Sequence, residues 1–280
     1  MSAESQRQAI LSAPIRYRNM MVRHRFSTLF LMFGLLCGIF CCSPDSPDET
    51  VVAMGFSGEH YLEIANSASI KAATAGDFTI EIWAGGDTSR AEVARTLVMV
   101  GNNDGGNEIA IYQGPEDSSM VVVFIDEQLF GRFYVTGLDW NADEKHYLCL
   151  SRAANFFAFY VDGRRLRSVE LANTDLDIGT SNLLIGGDYD GFNSNPGNYW
   201  VGTIDEVRLW SKAIHSDEVS FHHRNPDKLT EHYSADGLVP LKGLWRFNRK
   251  YSGFVPDESG NDNHAVIRGN SESVYWVMNK

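Results

Sequence analysis

Beyond residue 42 the sequence contains a single cysteine, Cys149. Without a second thiol, no disulfide can form inside the folded part, which must rely on its core. Cys149 sits in the strand-like run His146-Tyr147-Leu148-Cys149-Leu150 and reads as a small buried hydrophobe. Basic charge is also short. The 280 residues carry 24 Lys and Arg against 36 Asp and Glu, a formal charge of -12. Five of those arginines and one of those glutamates fall within residues 1–41, so 19 basic and 35 acidic side chains remain, about -16. That balance argues against nucleic acid, whose binding needs basic surface to displace counterions. It suits a soluble extracellular surface. No apolar run reaches the roughly 20 residues that comfortably span a bilayer. Neither a repeat nor a linker interrupts residues 51–280.

Aromatic side chains and glycine are plentiful: 16 Phe, 11 Tyr, 6 Trp and 25 Gly. They provide for a large core with many tight turns. The first 42 residues read differently. Arg23-His24-Arg25 is a positive n-region, and Phe26 to Phe40 is an apolar h-region of signal-peptide length. Residues 1–19 are polar and unlike a targeting signal, so Met20 or Met21 is a candidate start. The exit Ile39-Phe40-Cys41-Cys42-Ser43 resembles a relaxed bacterial lipobox, in which the cysteine after the h-region is lipidated. Cys42 fits better than Cys41, because a small residue precedes it. Ser43 to Thr50 is an acidic, Pro- and Ser-containing tether similar to the starts of surface lipoproteins in Gram-negative bacteria. The expected organisation is a leader over 1–42, a tether over 43–50 and one domain over 51–280. The resemblance implies a lipid-anchored protein of the cell envelope, at the outer membrane or cell surface. An ordinary cleaved signal peptide, giving a secreted protein, or an uncleaved anchor are the alternatives.

From Val51 onward, strand follows strand. In Asp77-Phe78-Thr79-Ile80-Glu81-Ile82-Trp83, Phe78, Ile80 and Ile82 share one face, and Thr79, Glu81 and Trp83 share the other. Similar runs occupy 96–100, 108–112, 120–125, 130–135, 146–150, 156–161, 164–171, 183–185, 201–210, 243–247 and 265–267. Asp162-Gly163 between two of them is the strongest hairpin signal. One segment reads as helix, Ser216 to Phe221, with a Ser cap and acids in the first turn. Many short strands with regular turns mean a sandwich or a barrel.

Five stretches resemble the laminin-G-like jelly-roll domains of the concanavalin-A-like lectin/glucanase superfamily. They are Phe56 to Ile64, Gly76 to Trp83, Phe159-Tyr160-Val161-Asp162-Gly163, Leu184-Ile185-Gly186-Gly187 with Gly202 to Trp210, and Gly243 to Phe247 with Asp257 to Asn263. The resemblance implies an all-β fold, a two-sheet antiparallel jelly-roll sandwich with a concave face or rim loops for ligands. It implies no single function. Ser57 departs from the family, which often has Asp there. The glucanase branch carries its carboxylates on one strand as Glu-x-Asp-x-x-Glu, and no such run occurs here. The expectation is a non-catalytic binding domain, most naturally for carbohydrate. A protein-interaction or adhesion module, or an accessory subunit of a polysaccharide-degrading or uptake system, is the alternative.

The first candidate site is the loop 187–199. Asp188, Asp190, Asn193 and Asn195 supply oxygens for calcium or sugar hydroxyls, and Tyr189, Phe192 and Tyr199 supply aromatic faces. A solvated turn using Asn, Gly and Asp for backbone reasons is the competing reading. The loop 102–107 is a second candidate, as part of a binding rim. Asp205 in the signature strand, with Glu59 by analogy, is a candidate structural calcium pair; a salt bridge from Asp205 to Arg208 or another Arg competes with it. Trp83, Trp210 and Trp245 read as packing residues. Trp140 matches a family aromatic that packs beneath the following hairpin.

Overall fold

The computed structural model describes residues 50–279, apart from 87–93, 102–107, 115–119, 126–129, 136–137, 139, 141–143, 172–177, 179–180, 190–195 and 231–234. The leader with Cys42, and the tether up to residue 49, lie outside the described residues. In chain order the strands are β1 (Val51–Ser57), β2 (His60–Ile64), β3 (Phe78–Gly86), β4 (Arg95–Gly101), β5 (Glu108–Gln113) and β6 (Met120–Ile125). Next come β7 (Phe130–Val135), β8 (His146–Ala153), β9 (Phe156–Val161), β10 (Arg164–Glu170), β11 (Leu183–Ile185) and β12 (Asp188–Tyr189). The last six are β13 (Pro196–Gly197), β14 (Val201–Trp210), β15 (Leu241–Arg246), β16 (Phe254–Val255), β17 (Ala265–Gly269) and β18 (Tyr275–Met278).

The first sheet runs β10-β9-β8-β3-β14-β1-β18, and the second runs β16-β17-β2-β11-β4-β5-β6-β7. Every pairing is antiparallel. Strand β14 is the organiser of the first sheet. One edge pairs with β3 along its length; the other pairs with β1 at its start and with β15 from Glu206 onward. A bulge between Ile204 and Glu206 marks the exchange.

Between the sheets lies the core. Phe78, Ile80, Ile82, Ile204, Val207 and Leu209 face Leu62, Ile64, Val98, Val100, Ile109 and Ile111. The alternation of β3 places Phe78, Ile80 and Ile82 there, as its period of two requires. Trp83, Trp210 and Trp245 are buried, as is Cys149. Asp162 and Gly163 both take positive φ, the signature of the two-residue hairpin between β9 and β10.

Among the described residues two α-helices are present where the sequence suggested one. Helix α1 (Ala68–Ala75) is capped by the Ser67 side chain, which accepts from the Ile70 N–H at 3.1 Å. Its alanines carry helix propensity without a wide apolar stripe, so a periodicity-based reading passes over it. Helix α2 spans Ser216–Arg224 with His215 at the N-cap, so Ser216 is the first helical residue and not the cap. Among the described residues no helix is long and apolar enough to cross a membrane.

The second face of β3 departs from a half-exposed strand, because all nine of its residues are buried. Helix α2 and the chain after it cover that face, where Trp83, Tyr147, Cys149, Tyr160, Trp210 and Val219 form a second core. Glu81 is fully buried there. Its carboxylate accepts from Trp210 Nε1 at 2.6 Å, His222 Nδ1 at 2.8 Å and Tyr147 Oη, with Arg208 Nη1 at 3.9 Å. His222 Nε2 faces the Leu229 carbonyl at 3.0 Å, so both ring nitrogens face acceptors. Arg208 bonds Glu206 and stacks on Trp83 at 4.5 Å. Burial acts to raise the Glu81 carboxyl. The hydrogen bond and charge of His222, with Arg208 and Tyr147, outweigh it and hold the group below its ordinary 4.5. A carboxyl depressed in the fold stabilises above its unfolded value, and that contribution is lost as pH falls through the folded one. Glu81→Ala, which leaves buried Arg208 and the donors of Trp210 and His222 without their acceptor, is expected to cost roughly 3–5 kcal/mol in urea unfolding at neutral pH. The deficit should shrink when the same titration is repeated below pH 4.5.

Candidate functional site

Only one sheet keeps an outer face free of such a helix among the described residues. On the second sheet, Leu184, Met99 and Ala110 stand side by side in register on β11, β4 and β5, directed away from the core. They are nonetheless buried, because Tyr61, Tyr112 and Tyr189 pack over them. Tyr61 alternates with the core residues Leu62 and Ile64 along β2, and Tyr112 follows core Ile111 on β5.

Tyr189 arrives by a different route. The β12–β13 hairpin folds onto this face, and the Tyr189 N–H donates to Met99 Sδ at 3.4 Å. Asp188 anchors the hairpin. Its carboxylate accepts from Thr96 Oγ1 at 2.6 Å and from Asn198 Nδ2 at 3.1 and 3.2 Å. The Thr96 N–H in turn donates to the Asn198 carbonyl at 2.8 Å, with Asn198 at a φ of 46° that asparagine tolerates. Asp188 therefore has both oxygens engaged by side chains that hold the loop. Tyr199 stacks on Tyr61 with ring centres 6.0 Å apart and planes 22° from parallel. A Cβ at Gly187 would stand 3.2 Å from both tyrosines, so the close passage of the chain there suits glycine.

A polar rim borders the rings. Glu63 accepts from Asn182 Nδ2 at 2.8 Å, Arg268 Nε at 2.6 Å and Tyr189 Oη at 3.4 Å. Tyr61, Tyr112, Tyr189 and Tyr199 are all half-buried. Burial, then the negative charge of Glu63, pushes the Tyr61 phenol up to about 12 and raises Tyr189. Both stay neutral hydrogen-bonding phenols at ordinary pH.

Sequence reasoning named Asp188, Tyr189 and Tyr199 and missed Tyr61, Tyr112, Glu63 and Arg268. The signal for the missed residues was their alternation with core positions on β2, β5 and β17. Asp190, Phe192, Asn193, Asn195 and the loop 102–107 lie outside the described residues. Glu59 and Asp205 are not brought together. Asp205 pairs with Lys145 at 2.9 Å, whereas Glu59 accepts from Asn270 Nδ2 at 2.8 Å. Ser57 pairs with Val201, four residues before Asp205, so roughly 13 Å of strand separates the two levels. Among the described residues no three His, Cys, Asp or Glu side chains gather as a metal site. Glu59 and Asp205 therefore do not fit a shared calcium ion. The competing bridge to Arg208 is also absent, because Arg208 bonds Glu206 and the Pro226 and Lys228 carbonyls. Trp140 is buried edge-on against Trp200 and His146 at the start of β8, and its ring covers Gly86.

Next to Asp188, burial and then the Asp188 charge push the Glu108 carboxyl up to about 7. A carboxyl raised in the fold stabilises below its unfolded value, and that contribution is lost as pH rises through the folded one. Wild-type protein is therefore expected to lose melting temperature between pH 4.5 and about 7 relative to Glu108→Gln, in thermal scans across that window.

A family model described as the concanavalin A-like lectin/glucanases superfamily matches residues 56–220. Among solved structures, a Bacteroides ovatus protein to which carbohydrate binding is attributed aligns with a TM-score of 0.59 at 15% identity. The alignment covers 83% of this chain and 61% of that one. The CBM40 module of a Ruminococcus gnavus IT-sialidase, bound to α2,3-sialyllactose, aligns with a TM-score of 0.52 at 12% identity over 61% of this chain and 96% of that one. At these identities the likeness is one of fold. No curated protein matches the chain by sequence.

Proposed function

We propose, for a chain that belongs to the concanavalin A-like lectin/glucanase superfamily, that it is a non-catalytic carbohydrate-binding protein displayed on the cell surface by a lipid on Cys42. The observation that carries the binding reading is the tyrosine platform. Tyr61 and Tyr199 stack with their planes near parallel, and Tyr61, Tyr112 and Tyr189 roof an apolar floor on the same sheet face. A pyranose ring offers C–H faces to such rings and hydroxyls at its edge. Half-buried phenols with a carboxylate, an amide and a guanidinium alongside match both features. The fold neighbours support sugar as the ligand class, since one is a sialidase carbohydrate-binding module bound to sialyllactose. A non-catalytic role is supported by Glu63, whose oxygens are committed to Arg268, Asn182 and Tyr189, and by Glu81, sealed within the second core.

Full-length protein purified in detergent is expected to be retained on at least one of a panel of immobilised polysaccharides. Tyr189→Ala and Tyr199→Ala should each weaken retention at least tenfold, about 1.4 kcal/mol, as loss of a central aromatic anchor does. Glu59→Gln and Asp205→Asn should leave it unchanged. A chelator arm tests calcium: lost retention would place an ion in the loop through Asp190, Asn193 and Asn195. Retention on no glycan would replace sugar by a protein partner.

Anchoring rests on the n-region, the h-region and the small residue before Cys42. Cells fed labelled palmitate should yield labelled protein in the membrane fraction. Cys42→Ser should abolish the label and release the protein, whereas label that survives in Cys42→Ser and is lost in Cys41→Ser would move the modification by one residue.

A further inference from the structure

Against 35 acidic side chains beyond the leader, the 19 basic ones are unevenly placed. Several described guanidiniums sit on carboxylates: Arg208 on Glu206, Arg246 on Glu206 and Glu258, Arg268 on Glu63. Strand β10 is different. It is the outermost strand of the first sheet, and it exposes Arg164, Arg165 and Arg167 with no carboxylate paired to them among the described residues.

Two more basic side chains join them from another element. The last turn of α2 carries His223 and Arg224 and is tied to the β9–β10 turn by Ser220 Oγ, which donates to the Gly163 carbonyl at 3.0 Å. His223 packs so closely on that turn that a Cβ at Gly163 would stand 3.2 Å from it. Between turn and helix lies a surface cleft of about 630 Å³, with Arg164, His223 and Arg224 in its walls beside Asp162 and Asp217. Asp162 is already engaged, since its carboxylate meets His146 Nδ1 at 2.9 Å and the Tyr147 N–H at 3.0 Å. Asp217 belongs to the opposite, first turn of α2. Arg224 donates from Nε to the Ser220 carbonyl at 3.0 Å, which leaves its two terminal nitrogens to a ligand.

We propose that this cleft and the adjoining arginines of β10 form a second binding site, selective for a polysaccharide that bears carboxylate or sulfate groups. The identification of the chain as polysaccharide rests on the carbohydrate reading above; the preference for anions rests on the arginines alone. Guanidinium pairs match planar carboxylates and sulfate oxygens, and a local positive field on an acidic protein steers such chains to one place. Edge-strand charges also guard a sheet against pairing with another chain. That role needs no cleft and no contribution from α2, and it predicts a change in aggregation rather than in affinity.

The test is affinity electrophoresis of the full-length protein in detergent, through gels holding polygalacturonate, dextran sulfate or neutral dextran. Retardation is expected from at least one of the two anionic polymers, and it should fall at least tenfold between about 50 and about 500 mM salt as screening shortens the reach of the charges. The triple variant Arg164→Gln, Arg165→Gln, Arg167→Gln and the single variant Arg224→Gln should each weaken that binding at least tenfold. The triple Arg→Lys variant should retain most of it, which separates lost charge from a lost fold. Tyr189→Ala should leave it unchanged, so the two sites fail independently. Equal retardation of the wild type and the triple Gln variant would overturn the site while leaving the carbohydrate reading in place. Binding to neutral dextran as strong as to the anionic polymers would overturn the selectivity. No retardation by either anionic polymer would overturn the proposal, even with other glycans bound.

Discussion

A buried carboxylate on the central strand of one sheet makes the sandwich asymmetric. Glu81 sits where the alternation of β3 would put a solvent-facing residue, and α2 and its flanks close over it. An unpaired carboxylate could not stay charged there. Trp210, His222, Tyr147 and Arg208 supply the donors and the opposite charge, Arg208 and Trp210 from β14, Tyr147 from β8 and His222 from α2. The network therefore ties β3, β8, β14 and α2 into one unit. Its consequence for function is spatial. With the outer face of the first sheet used for packing, the faces left open among the described residues are the outer face of the second sheet and the edges.

The second sheet shows what such a free face looks like. Its floor residues Met99, Ala110 and Leu184 are as buried as the core, yet tyrosines and not aliphatic side chains cover them. Tyrosine is suited to this position because its ring packs on an apolar floor while its hydroxyl stays within reach of water or ligand. The hairpin that carries Tyr189, and the segment after it that carries Tyr199, are tied to β4 through Asp188, Thr96 and Asn198, so the scaffold itself sets the aromatic spacing. A preformed platform of this kind gives up little conformational entropy on binding.

How far the sequence disclosed this differs by level. The run of strands and turns was legible because period-two alternation on β3 and the Asp162-Gly163 turn report backbone geometry directly, whereas the choice of a two-sheet sandwich over a barrel came from the family resemblance. Helix α1 was not, since an alanine-rich turn capped by one serine leaves no amphipathic stripe. At the site, the loop 187–199 was found from its composition, but composition could not say that Asp188 faces Thr96 and Asn198. Alternation could place Tyr61, Tyr112 and Arg268 on the outer faces of their strands but could not bring them together. Each stands on a different strand, and only the pairing of β17 with β2, of β2 with β11, and onward through β4 to β5, puts them on one surface. The pairing of Glu59 with Asp205 failed for the same reason, since family order along the chain does not give register across it.

Charge follows a similar logic at the scale of the whole domain. A net acidic surface repels polyanions, so an anionic chain approaches such a protein only where cations outnumber acids over a distance comparable with the screening length, about 8 Å in physiological salt. Isolated arginines bonded to carboxylates, such as Arg246 and Arg268, do not create such a place, because their fields are cancelled at contact range. Three arginines within four residues of an exposed strand do. The last turn of α2 adds a fourth guanidinium and an imidazole beside them. The tyrosine face, with Glu63 already neutralised by Arg268, has no comparable field and discriminates by shape and stacking instead. If both proposed sites bind, recognition would be divided by physical mechanism, one site sensitive to salt and the other to the loss of an aromatic ring.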